Sequence, residues 1–557
     1  MKKIILLCIT IICMSFLYST TIDDLAVSDE WHNLLLDDAY GKGFVTDYSK
    51  FYACGERNFK KEIEFLIENQ NEELFYLYPA RYECISRNLN IDIPYLDSNY
   101  DLKKYLEKNS YDTLSISFSE PINDELDSTF GHAFIILNNI EDTIGNGASI
   151  NLFAYIDDLG SFEMIKKGLI GDLVGYFDFA QAGIVMEKYS IKLQRELIVY
   201  DTLFTKEQIN KILLMLWEMK NAPIDYQFIT RNCVNGAISL LDYAVGNISL
   251  RDQANGVLMP YSLIKLLKIN NLIRDIRTYS PTSNQIGLEL DPSKLDEYEI
   301  RKTYWTEDGW ENHEVERTLP VYLPTQDQYE RPHFINNNLS YLGIETDYNM
   351  ITHHLDSIKL DYRFLNADTW ERVFSSPRNV KMIIGKVKFE YTSPSDFGLN
   401  ELIIWNQASY NKLKFYNNRL SSEFKLAIDK DFNDYTLKPY ITVSKGLSFG
   451  ISAFKNIPYD PLLVYIMAEG DVVFDYLRGN FGLHSGILYK NTKCMINLDS
   501  FYSVGNFPYD QGKQKSNRLD LISYYRLNER CILGAKYDFL DTTLTGVIRY
   551  SYSPWGF

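Results

Sequence analysis

Beyond about residue 340 the chain alternates apolar and polar positions with a period of two, the pattern of strands with one apolar and one polar face. In 358–364, Ile358, Leu360, Tyr362 and Phe364 are separated by Lys359, Asp361 and Arg363. In 383–391, Ile383, Val387, Phe389 and Tyr391 alternate with Lys386, Lys388 and Glu390, and Phe424, Leu426 and Ile428 do so with Glu423, Lys425 and Asp429. The texture returns at Leu533, Tyr537 and Phe539 and again at Leu544, Ile548, Tyr550 and Tyr552. About a dozen such runs, roughly 9 to 11 residues each, have the length and dyad pattern of a transmembrane β-barrel. A soluble antiparallel sandwich or a lipocalin-like barrel alternates in the same way and is the competing reading.

Upstream the texture differs. Residues 22–108 are polar with helically spaced apolar anchors, among them Trp31, Leu34, Leu35, Ile63 and Leu66, and predict a helical cap. From Thr113, short apolar runs at 114–118 and 133–137 predict strands of a buried sheet. Thr205 and Gln208 form a capping box ahead of Ile209, Ile212, Leu213 and Leu216, and Asn232 is an N-cap for a helix with Val234, Ile238 and Leu241 on one stripe. The segment with Gly168, Gly171, Gly175 and Gly183 is too broken for a helix assignment; it suits an acyl-chain wall, a membrane-facing loop or ordinary core. Prolines at 260, 281, 292, 320, 324 and 332 mark a connector. The start, Met1-Lys2-Lys3 and an apolar run over 4–17, has the form of a secretory signal. The expected organisation is a signal over 1–20, a helical cap over 21–108, a mixed α+β domain over 109–255, a connector over 256–335 and an antiparallel β-barrel of about 12 strands over 336–557.

Composition sharpens this picture. A formal charge of −18 excludes nucleic acid as a partner, since phosphate binding needs a basic surface. No later stretch is apolar enough for a spanning helix, so membrane contact would fall to the strands. The 42 Tyr and 31 Phe fit the aromatic girdles of a barrel, and the closing Phe557 is the terminal aromatic expected of an outer-membrane one. Without the signal five cysteines remain, Cys54, Cys84, Cys233, Cys494 and Cys531, an odd number that leaves at least one unpaired; Cys54 with Cys84 is a possible disulfide.

Scarcity singles out the candidate chemistry. The predicted α+β domain has one histidine, His132, at the start of a strand after Gly131, and one cysteine, Cys233, at the first turn of a helix after Asn232. The unpaired N–H groups of a helix N-terminus favour thiolate over thiol, a neighbouring imidazole can take and return the proton, and the Cys233 N–H could serve an oxyanion hole. An inert core thiol and a structural histidine are the bland alternatives. The histidines at 313, 353 and 354 lack companions at ligand spacing, so no metal or other cofactor is assigned.

Phe130-Gly131-His132-Ala133-Phe134, Arg195-Glu196-Leu197, Leu216-Trp217-Glu218 and Asp225-Tyr226-Gln227-Phe228 leading into Asn232-Cys233 together resemble the periplasmic domain of the Lnb-type bacterial lipoprotein N-acyltransferases. Pro79-Ala80-Arg81 is similar to the end of that family's helical module, and the Tyr-rich tail to its barrel-like module. The resemblance implies a circularly permuted, NlpC-like papain fold in which Cys233 is the nucleophile and His132 the base. It also implies an orienting polar residue on the strand after His132, for which Asn151 is the choice and Ser149 and Tyr155 the competitors. Ser128 would line the site beside Asn232 and Gly131. Arg231, where an acidic residue is expected, and Val234, where a small polar one is common, depart from the pattern. The implied activity is transfer of a phospholipid acyl chain, through a Cys233 thioester, to the α-amino group of a diacylated lipoprotein at the outer membrane. A cell-wall amidase or endopeptidase using the same thiol, and a non-catalytic outer-membrane binding protein, are the other readings; Arg231 favours the last.

Overall fold

The computed structural model describes residues 20–37, 43–93, 100–119 and 131–154, residues 161–279 apart from short gaps, 301–306, 309–314, and 340–552 apart from several connections between strands. Of the leader expected over 1–20, only Thr20 lies within them. The chain forms two compact units, one of the described residues up to 314 and one from 340 onward.

In the first unit seven short helices run from Ile22–Ala26 to Tyr100–Lys108. Most begin with an oxygen-bearing cap, as at Thr21, Ser28, Asp47, Asn58 and Asn71, each accepting a backbone N–H of the first turn. Trp31, Leu34, Leu35, Ile63 and Leu66 are buried, as their spacing predicts. Helix α1 (Pro79–Leu89) places Arg81 wholly inside.

A seven-stranded antiparallel sheet follows, with strands β1 (Thr113–Ser119), β2 (His132–Asn138), β3 (Ala148–Ala154), β4 (Leu173–Gln181), β5 (Leu197–Thr202), β6 (Ile224–Tyr226) and β7 (Ile273–Tyr279) in the order β6-β4-β3-β2-β1-β5-β7. The glycine-rich segment resolves into helix α2 (Ser161–Ile170) and β4, with Leu173 and Tyr176 in the core. Strand β7 extends the sheet into the stretch read as connector. Helix α3 (Lys206–Met219) starts at the expected capping box, Thr205 N–H donating to Gln208 Oε1 at 2.9 Å and Gln208 N–H to Thr205 Oγ1 at 3.3 Å. Helix α4 (Cys233–Val245) packs on the sheet so closely that a Cβ on Gly236 would stand 2.6 Å from a Leu152 methyl. A hairpin of β8 (Arg301–Thr306) and β9 (Gly309–Glu314) completes the described part.

The second unit is a closed antiparallel barrel of twelve strands, β10 (Ser340–Asn349) to β21 (Thr543–Tyr552), sealed by pairing of β10 with β21 from Ser340↔Tyr552 to Asn349↔Thr543. Its sidedness decides between the two readings of the alternation. Ile358 and Leu360 are 40% and 43% exposed on the outside, whereas Asp361 and Arg363 just beyond them are 1% and 2% exposed within. A soluble sandwich or lipocalin-like barrel would bury the apolar face; only a lipid-facing one turns it outward. One expected position differs. Ile383 packs inside with Ile403 and Ala427, because the alternation slips at Gly385, which takes a φ of +67° and interrupts the pairing with β13 (Asp396–Tyr410).

Candidate active site

Strand register sets one half of the site. Ile136 pairs with Ser149 and Ile135 with Ile150, so His132, Phe134 and Ile136 share a face with Ser149, Asn151 and Phe153. His132 Nε2 lies 3.3 Å from Asn151 Oδ1, Asn151 Nδ2 donates to Ser149 Oγ at 3.2 Å, and Ser149 Oγ donates to the Ala180 carbonyl at 3.2 Å. This chain orients the Asn151 amide with its oxygen toward the ring, making Nε2 the protonated nitrogen and Nδ1 the basic one. Of the three residues weighed on β3, Asn151 meets the imidazole, Ser149 supports Asn151, and Tyr155 lies outside the described residues. Phe153 and Tyr189 stack on the ring with centroids at 5.1 and 5.4 Å.

Gly131 is required by space and by conformation. Its φ is +80°, and a Cβ there would stand 2.6 Å from the Ser119 carbonyl oxygen. The tight approach lets β2 begin at His132 directly against the end of β1, where Ser119 pairs with His132.

Helix α4 supplies the other half. Asn232 Oδ1 accepts the Val234 N–H at 3.0 Å, and Asn232 Nδ2 donates to the Leu258 and Phe228 carbonyls at 2.7 and 3.1 Å. Its amide is spent on capping and clamping the helix start. Cys233 is 5% exposed, and the N–H groups of Ala133, Val234 and Cys233 itself lie near enough to its sulfur to favour the ionised form. The thiol therefore sits at the start of the His132 strand. The two functional groups do not bond one another in this state. Helix α4 covers the face with Leu152, and the imidazole is held on the Asn151 face.

Burial outweighs the helix terminus expected to favour thiolate. It pushes the Cys233 thiol up to about 11, the three N–H groups opposing it. Burial likewise pulls the His132 imidazole down to about 3; the Asn151 contact opposes this, and the charges of Arg195 and Lys188 add to it. The resting site is a neutral thiol and a neutral imidazole, not an ion pair.

Arg231, the departure from the expected pattern, is ion-paired with Asp225 and does not present a bare charge to the thiol. Ser128 lies outside the described residues. Residues that periodicity gave no reason to select are Phe153, Tyr189, Lys188 and Arg195. Lys188 Nζ stands 5.3 Å from the Phe153 ring centre, and Arg195 is wholly buried against Tyr189. Lys188 and Tyr189 lie on a single π-helical turn, Glu187–Lys192, which no sequence spacing announces. Only Arg195 had a signal, as part of Arg195-Glu196-Leu197.

Residues 101–270, which hold both halves of this site, match the Lnb N-terminal periplasmic domain family. This part of the chain is an Lnb-type periplasmic domain. The Lnb domain is joined to a lipid-facing barrel, so the protein is an outer-membrane protein with a periplasmic domain. Among the described residues no helix is long and apolar enough to cross a membrane. None of the curated proteins matches the chain. Among solved structures the chain is similar to the KdgM porin, at 12% identity and a TM-score of 0.23, covering 38% of this chain and 99% of that one. It is also similar to the outer membrane channel DcaP of Acinetobacter baumannii, at 11% identity and a TM-score of 0.18, covering 39% and 96%.

Proposed function

We propose that this Lnb-type protein is a thiol-dependent lipoprotein N-acyltransferase with Cys233 as nucleophile, His132 as base and Asn151 as the residue that orients the imidazole. The observation that carries this reading is the buried Cys233 at the head of α4, near the Ala133 N–H at the start of the strand whose His132 is bonded to Asn151. A histidine strand preceding a cysteine helix also supports the permuted papain-like reading.

The donor is a phospholipid. His132 Nδ1 takes the Cys233 proton as sulfur adds to the ester carbonyl carbon, and the tetrahedral intermediate collapses with the lysophospholipid alkoxide leaving on that proton. The α-amino group of a diacylated lipoprotein cysteine then attacks the thioester; His132 accepts its proton and returns it to the departing sulfur. The first step requires the thiol and the imidazole to approach one another while Asn151 keeps its hold on Nε2. Catalytic hydrogen bonds commonly tighten only once substrate is bound. A low-polarity site also keeps water from the thioester. A barrel in the outer membrane suits an enzyme whose donor and acceptor are both membrane lipids.

The full-length protein incubated with phospholipid labelled in its acyl chains should carry a hydroxylamine-sensitive label that Cys233→Ala abolishes, and lipoproteins from expressing cells should gain an N-acyl group by mass spectrometry. Release of peptidoglycan peptides without lipid labelling would instead favour the amidase reading. The separation of thiol and imidazole favours a third, non-catalytic reading, which neither label nor peptide release would support.

A further inference from the structure

We propose that the barrel is a sealed, non-conducting membrane anchor, closed by a plug of its own inward-facing apolar side chains. Twelve-stranded barrels can enclose water or be filled; here the interior is filled in two layers.

The first layer lies at the end where the chain enters at β10 and leaves at β21. Tyr341 near the start of β10, Tyr410 at the end of β13, Leu463, Tyr465 and Met467 in the first half of β16 (Leu462–Val473) and Met495 near the start of β18 (Cys494–Phe507) belong to one packed cluster with residues of four further strands. Tyr410 and Tyr465 come from strands separated by two others, yet their rings meet edge to face at 5.1 Å, so the contact crosses the lumen rather than running along the wall. All eleven members of the cluster are less than a tenth exposed. Lumen walls of an open channel are wetted, and such side chains would be accessible to water.

The second layer, beside and beyond the first, is charged and internally paired. Lys388 bonds Glu345 two strands away at 2.6 Å, Glu401 holds Lys386 at 2.6 Å and Lys425 at 2.9 Å, and Arg518 holds Asp499 at 2.6 Å. Asp361, Arg363, Asp499 and Asp520 are nearly inaccessible. Charges paired at this separation and removed from water are poor binding sites for permeant ions. The exterior gives the barrel its hold on lipid, and the interior gives it rigidity.

The test is reconstitution of the full-length protein in planar lipid bilayers, with folding and insertion read from heat-shifted migration on a gel. The inserted wild type is expected to give no conductance step above bare membrane; discrete steps would overturn the proposal. The Tyr410→Ala/Tyr465→Ala double variant, inserted in the same way, is expected to open steps, and continued silence would overturn the assignment of the seal to this plug. If that variant does not fold, Met467→Gly removes one plug side chain and is read against the same two outcomes.

Discussion

At the scale of single residues, the balance between burial and a helix terminus governs Cys233. A free thiol titrates near 8.5, and a helix N-terminus lowers that value. In this protein desolvation pushes it up to about 11, so at neutral pH the thiolate fraction is small and grows with rising pH. Peptide-resolved iodoacetamide labelling of Cys233 should therefore climb steadily with pH toward that value. A plateau reached by neutral pH would mean a thiolate–imidazolium pair already exists without substrate. The pairing of His132 with Asn151 was legible through the family resemblance, which implies an orienting polar residue on the strand after His132. The neutral state was not legible, because desolvation depends on what covers the thiol, and no spacing records that. Cys54 and Cys84, weighed as a disulfide, are both free thiols.

Between elements, the helical cap and the Lnb domain share a buried ion triad. Arg81 of α1 reaches Glu62 at 2.6 Å and Glu218 of α3 at 3.1 Å, all with side chains out of water. The rings of Phe51 and Tyr78 flank the guanidinium at 4.5 and 4.4 Å. Burial pushes the Glu218 carboxyl up to about 7, and Arg81 opposes it. Removing the cation leaves two carboxyls without their partner in the interior. Arg81→Ala should cost about 3–5 kcal/mol in denaturant unfolding of this unit, and Arg81→Met with Glu62→Gln and Glu218→Gln should recover much of it. Equal stability of wild type and Arg81→Ala would show the triad to be idle. Pro79-Ala80-Arg81 and Leu216-Trp217-Glu218 stand out separately in the sequence; their meeting, 137 positions apart, belongs to the packing.

Across the whole molecule, the barrel reverses the usual relation between hydropathy and depth. Apolar side chains such as Ile466 and Val443 are exposed around its wall, and charge lies inside. Ile466 sits near the middle of β16, so Ile466→Arg should cost about 2–4 kcal/mol of barrel stability measured by reversible unfolding in lipid. An unchanged stability would place that face in water. The same substitution at the barrel rim is expected to cost less, because the side chain can reach the interface.

The sequence by itself determined the elements and their faces. Period-two alternation with charge on one side specifies strands with one apolar and one polar face, capping residues specify where α3 and α4 begin, and the scarcity of histidine and cysteine singles out His132 and Cys233 as candidates. These are local properties, fixed by backbone geometry and side-chain type within a few residues. The tertiary structure decided which face meets lipid, that Arg231 is neutralised by Asp225, that the lumen is plugged by residues from eight strands, and that the thiol and imidazole rest neutral and apart. Each of these depends on which distant groups share a volume and exclude water from it, and solvent exclusion is a property of the assembled fold.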